Sequence, residues 1–114
     1  MNTVRVHLET RRLDREYAQP FIREVGYGDI IDFIAVDDTF TITIPNQDAF
    51  LTEANGEPAG DNLSVTLNSG ASRQWKVGDA PLLAQFKYYD VYWDAQKSYA
   101  DRPGASPPKI IIRF

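Results

Sequence analysis

Cysteine is absent from the 114 residues, and histidine and methionine occur once each. Without cysteine there is no disulfide framework, no thiolate nucleophile and no cysteine metal site. The lone histidine, His7, cannot form a zinc site by itself. Long apolar runs are also missing. None approaches the length of a membrane span, and the N-terminus lacks the charged, apolar and small-residue segments of a signal peptide, so the reading favours a soluble chain with a cytoplasmic address. Basic residues number 12 against 16 acidic ones, for a net charge of −4. The basic residues are scattered, whereas phosphate binding needs Lys and Arg in clusters, so neither nucleic acid nor a membrane surface is an expected partner. No G-x-S-x-G occurs, Ser69, Ser72 and Ser98 have no base beside them in any motif, and Gly26, Gly28, Gly70 and Gly78 form no phosphate-binding pattern.

What remains is a composition of 43% apolar and 25% charged residues, ordinary for a globular protein. The length fits one domain, residues 1–114, and at this size folding removes roughly 65% of the extended chain's surface from water. The organising stretch is Gly28 to Ile44, GDIIDFIAVDDTFTITI. Phe40, Ile42 and Ile44 alternate with Thr39, Thr41 and Thr43, the period of a half-buried strand. Ile30 to Val36 is apolar on both faces apart from Asp32, as suits a central strand. Joined by Asp37 and Asp38, the two runs predict a hairpin at the heart of a β-sandwich.

Other strands follow from the same alternation. Val4, Val6 and Leu8 mark a first strand over Thr3 to Glu9, and Phe21 to Tyr27 a second, ending at a tight turn at Gly28-Asp29. Thr10 to Gln19 is polar and reads as a surface crossover with room for one helical turn. Asn46 to Ala54 predicts a short helix capped by Asn46, with Phe50 and Leu51 tucked inward. Asn55 to Asn62 is a surface loop. Leu63 to Leu67 and Arg73 to Val77 are strands around a turn at Asn68-Ser69-Gly70, and Gly78 to Pro81 breaks the chain. Phe86 to Trp93 is the most aromatic strand, Asp94 to Pro108 a long polar loop, and Lys109 to Phe114 the closing strand. The sum is an all-β, antiparallel Greek-key sandwich of seven or eight strands. An immunoglobulin-like or fibronectin-like sandwich is the alternative.

Several segments, in chain order, resemble the cupredoxin family of blue-copper β-sandwiches. GDIIDF at Gly28 to Phe33 resembles the segment opening the family's central strand, and FTITI at Phe40 to Ile44 the strand beginning with the first copper histidine. FKYYD at Phe86 to Asp90 resembles the aromatic strand that ends in the copper cysteine, and PKIII at Pro108 to Ile112 the closing strand. The resemblance implies a cupredoxin-like fold, and it places Phe40 at the first histidine, Asp90 at the cysteine, Trp93 at the second histidine and Ser106 near the methionine. Copper in that geometry requires a thiolate and two imidazoles. The implied domain is therefore copper-free, with no cofactor and no metal, and an electron carrier is not expected.

The remaining candidates have plain explanations. His7 sits among outward-facing residues of its strand and reads as solvated. Asp37 and Asp38 with Asp29 or Asp32 match no calcium loop, which needs roughly six or more converging oxygens, and aspartates in a turn cap their own backbone. Asp90, Asp94 and Asp101 flank the final loop, where two carboxylates within reach of one substrate would serve as acid and base. The feature with most promise is the aromatic set Tyr88, Tyr89, Tyr92, Trp93 and Tyr99. In a strand, Tyr89, Val91 and Trp93 share one face and Phe86, Tyr88, Asp90 and Tyr92 the other, so one group enters the core and the other meets solvent or a partner. Two function classes follow. One is a non-catalytic binding or interaction module, a monomer or weak homodimer with a protein or small-molecule partner contacting Tyr88, Tyr92, Trp93 and Tyr99. The other is a small enzyme using Asp90, Asp94 and Tyr92.

Overall fold

Val4, Val6 and Leu8 are buried and Arg5 and His7 exposed along β1 (Thr3–Leu8), as alternation requires. The structure is a computed structural model and describes residues 2–10, 18–19, 22–47, 49–78, 85–99 and 107–113. In the first layer β1 lies between β2 (Ala18–Gln19) and β4 (Ile30–Ala35), running parallel to β4. Beyond β4 come β8 (Ser72–Val77) and β6 (Leu51–Glu53). The second layer is built on β5 (Phe40–Pro45), which pairs with β7 (Asn62–Leu67) on one side and β10 (Asp90–Trp93) on the other. Outside β10 is β11 (Ser98–Tyr99). The same layer continues through β9 (Gln85–Tyr88), since only Tyr89 separates β9 from β10. β12 (Lys109–Arg113) pairs with β9 and, in parallel, with β3 (Ile22–Gly26).

Side chains from both layers fill the space between them. Val6, Ile31 and Trp75 come from the first, Ile42, Val91, Ile110 and Ile112 from the second. Phe33 on β4 meets Trp75 edge-on at 5.9 Å and Tyr89 at 5.5 Å between ring centroids, so one ring links the layers. Each such side chain, fully removed from water, contributes roughly 1.5–3 kcal/mol. Among the described residues there is no helix, hence none long and apolar enough to cross a membrane.

The all-β sandwich is present, and several elements differ from expectation. Ile30 to Val36 and Thr39 to Ile44 are not a hairpin: β4 pairs with β1 and β8, β5 with β10 and β7, and Asp37-Asp38 carries the chain between layers. The two aspartates are pulled apart by their bonds. Asp37 accepts the Thr10 N–H at 3.1 Å and the Thr10 hydroxyl at 2.8 Å, just past β1, while Asp38 accepts the Trp93 indole N–H at 2.9 Å in the other layer. The short helix over Asn46 to Ala54 is absent. Instead of capping a helix, buried Asn46 accepts the Leu51 N–H at 3.0 Å and donates to the Leu51 and Gly60 carbonyls at 2.9 and 2.8 Å, which holds Leu51 extended for β6. Phe50 and Leu51 are buried as expected.

Phe86 to Trp93 is not one strand. Tyr89 interrupts it, its N–H bonding the Pro108 carbonyl at 3.1 Å, and the two halves take different partners. The polar stretches 10–19 and 94–108 each contain a two-residue strand, β2 and β11. Two pairings, β1 with β4 and β3 with β12, are parallel rather than antiparallel, and the described chain is cut into twelve segments rather than seven or eight. The turn before β4 closes from Gly26 to Asp29, with Gly28 at φ 83° in the position that requires it. The helical turn considered between Thr10 and Gln19 and the break at 79–81 lie outside the described residues, as do Phe21 and Phe114 at the ends of two expected strands.

Candidate functional site

The register across the second layer aligns Tyr99, Tyr92, Thr41 and Thr66 in one row over β11, β10, β5 and β7. Alternation turns this row away from the core, because its neighbours Trp93, Phe40 and Leu67 face inward. Tyr99 is 54% exposed and its ring stands 4.8 Å from that of half-buried Tyr92, tilted by 56°. Beside them the hydroxyls form a directed chain. Thr41 donates to Asp94 Oδ1 at 2.9 Å, so in its 2.9 Å contact with Thr66 the Thr41 oxygen accepts. The next outward row holds Asp90, Thr43 and Ser64. Tyr88, 51% exposed, extends the same face toward Lys109, whose Nζ lies 5.9 Å from the ring centroid. The result is an open strip of tyrosines and hydroxyls flanked by carboxylates.

Of the four aromatic residues expected at a partner surface, Tyr88, Tyr92 and Tyr99 share this face and Trp93 does not. Trp93 turns inward onto Phe40, 6.3 Å away and tilted by 34°. It closes that end of the core, and its indole N–H donates to Asp38 Oδ2 at 2.9 Å while the Thr39 N–H donates to Asp38 Oδ1 at 2.8 Å. The indole, then the amide, hold the Asp38 carboxyl below the usual carboxylate range, against a small opposing effect of lost hydration.

The positions matched to copper ligands separate in space. Phe40 and Trp93 face each other across β5 and β10, whereas Asp90 lies three positions along, opposite Thr43 and exposed on the outer face. Ser106 is outside the described residues, and exposed His7 lies on the outer face of the other layer. Phe40 and Trp93 offer no donor that copper takes, so these residues do not fit a blue-copper centre. Among the described residues no group of three or more His, Asp or Glu side chains converges as a metal site would require.

Asp90 faces solvent and Asp94 is engaged with Thr41; Asp101 lies outside the described residues. At the opposite end of the sandwich a shallow hollow of about 210 Å³ is lined by Leu51, Pro58 and Ala59 beside Asn46 and Asp61, but the Asn46 amide is spent on backbone groups. The threonine row was half visible in the sequence, where Thr39, Thr41 and Thr43 announce an outward face. The Thr41–Thr66 contact, the Trp93 indole at Asp38 and the Gly60 carbonyl at Asn46 gave no local signal, because these partners lie 14 to 55 positions apart in the chain.

No family model matches the chain, and no curated protein matches it. Solved structures do. They include an amicyanin mutant in the Cu(I) form, with a TM-score of 0.55, and an oxidised and a reduced amicyanin mutant, each at 0.52. Each is 10% identical, and the match covers 97% of this chain and 82% of that one. At this identity the likeness concerns the fold, which is cupredoxin-like.

Proposed function

We propose that this cupredoxin-like chain is a non-catalytic, copper-free binding or interaction module that meets a protein or small-molecule partner through the outer face of β11, β10, β5 and β7. The observation that carries this reading is the outward-facing Tyr92–Tyr99 ring pair, half-buried at Tyr92 and exposed at Tyr99, set beside a hydroxyl chain. Tyrosine brings a large rigid contact area and a polar handle, and hydroxyls supply adaptable hydrogen bonds. The enzymatic alternative, with Asp90, Asp94 and Tyr92, has weaker support. Asp94 is already engaged by the Thr41 hydroxyl, and Asp90 stands exposed on an open face.

The test is a thermal-shift screen against sugars, nucleotides, peptides and metals, repeated on Tyr92→Ala/Tyr99→Ala. Specific binding raises the midpoint with ligand concentration as RT ln(1 + [L]/Kd). A hit that disappears in the double variant supports the reading. A hit that persists unchanged, or a midpoint raised by Cu(II), contradicts it.

A further inference from the structure

Strand β7 ends its sheet: among the described residues it pairs with β5 alone. Sheet edges are ordinarily protected by shortness, charge, proline or a covering segment. The other edges follow that practice. β2 and β11 have two residues each, β6 has three and is bridged at Thr52 by Pro58, β3 carries Arg23 and Glu24, and β9 has four residues including Lys87. β7 is six residues long and has no charge and no proline.

The Asn46 N–H bonds the Asp61 carbonyl at 2.8 Å, one step beyond the facing pair Pro45 and Asn62. Facing pairs in an antiparallel ladder alternate between bonded and non-bonded. Leu63, Val65 and Leu67 therefore bond to β5, and Pro45, which has no N–H, falls on a non-bonded pair. The Asp94 N–H to Thr39 carbonyl contact on the other side of β5 gives the same phase. The N–H and C=O groups of Ser64 and Thr66 accordingly point to the open side.

The sequence over this edge reads the same in both directions: Asn62, Leu63, Ser64, Val65, Thr66, Leu67, Asn68, with serine answered by threonine. We infer that β7 pairs antiparallel with β7 of a second copy of this chain, about a two-fold axis through Val65. In that register Leu63 faces Leu67 and Val65 faces Val65 on the inner side, while Ser64 faces Thr66 and Asn62 faces Asn68 on the outer side. Ser64 and Thr66 then exchange their free backbone hydrogen bonds with Thr66 and Ser64 of the second copy. A register shifted by one would set inward against outward side chains, and shifts by two break the matching. The contact is isologous and closes at two copies. It joins the two tyrosine-bearing sheets into one. Because a single strand edge buries less than a standard interface of roughly 800 Å² per partner, the expected dissociation constant lies in the range of about 10 μM to 1 mM.

Sedimentation equilibrium over that range tests it. The weight-average mass should rise from 12.9 kDa toward twice that value and stop there. Ser64→Lys/Thr66→Lys sets charges against each other across the axis and should weaken association at least about tenfold. Because the chain has no cysteine, single introduced ones give a second readout. Val65→Cys would meet its own copy across a non-bonded pair, at a Cα spacing of roughly 4.5 Å that a disulfide spans. Ser64→Cys, although Ser64 is more exposed than Val65, would lie diagonal to its copy and should link far more slowly. A mass fixed at 12.9 kDa, a mass climbing beyond two copies, or equal linking by the two cysteine variants would each overturn the inference.

Discussion

Replacing Asn46 by alanine strikes the junction where β5 ends, β6 begins and the chain returns toward β7. The Asn46 side chain is buried and satisfies the Leu51 N–H, the Leu51 carbonyl and the Gly60 carbonyl. Gly60 is exposed and water can replace its bond, so the cost falls on the two Leu51 groups. A buried polar group left without a partner costs about 1–3 kcal/mol, which gives about 2–6 kcal/mol for the pair. That is a large share of a stability of roughly 5–15 kcal/mol. At about 4 °C per kcal/mol for this size, the midpoint should fall by about 8–24 °C. Urea unfolding should show the loss in the transition midpoint with an unchanged slope. Asn46→Asp keeps the shape but turns a donor into an acceptor that faces two carbonyls. Burial would raise that carboxyl's pKa in the fold above its unfolded value near 3.9, so this variant should lose stability as pH rises through that value and recover below it. A loss under about 1 kcal/mol for Asn46→Ala at constant slope would refute the account.

The remaining predictions concern two titrating groups. The Tyr89 hydroxyl is buried with no partner among the described residues, and burial pushes its phenol well up. Tyr89→Phe should be neutral or stabilising by about 1 kcal/mol. Since the unfolded tyrosine ionises near pH 10 and the buried one does not, the wild type should weaken above that pH relative to the variant; a clear loss of stability in Tyr89→Phe at neutral pH would show the hydroxyl to be bonded. Asp38 is held below its ordinary value near 3.8, first by the Trp93 indole and then by the Thr39 amide. Its contribution is present above that value and is lost as pH falls through the lower folded one. Trp93→Phe should therefore lose stability near neutrality, and its midpoint should approach that of the wild type in acid. A gap that stays constant down to about pH 2 would discount the indole bond.

The strands that could be read from the sequence are those whose alternation is complete within themselves. Val4, Val6 and Leu8, or Phe40, Ile42 and Ile44, declare their inner face without reference to any partner. Pairing is another matter. Two runs separated by Asp37-Asp38 look like a hairpin to any local rule, and only Thr10 on one side and Trp93 on the other show that the aspartates divide them between layers. Asn46 has the composition of a helix cap, but its amide reaches the backbone at Leu51 and Gly60, beyond the first turn of any helix. At the site, the inward face of the aromatic strand could not be chosen from sequence, since both faces carry large rings. The choice is made by Phe33, whose edge-on contact seats Tyr89, and with it Val91 and Trp93, on the inside.

The place of β12 has a bearing on how the chain assembles. Residues 109–113 form not an edge but the middle of their sheet, with β3 on one flank and β9 on the other. Until they emerge during synthesis, Ile22–Gly26 waits more than 80 residues for the one partner strand it has among the described residues, and Val25 has no Ile112 beside it. Bringing such distant pieces together exacts its loop-closure entropy before any contact repays it. The ladder of β3, β12 and β9 therefore cannot close before residues 109–113 are available, whereas β5, β7 and β10 pair without them.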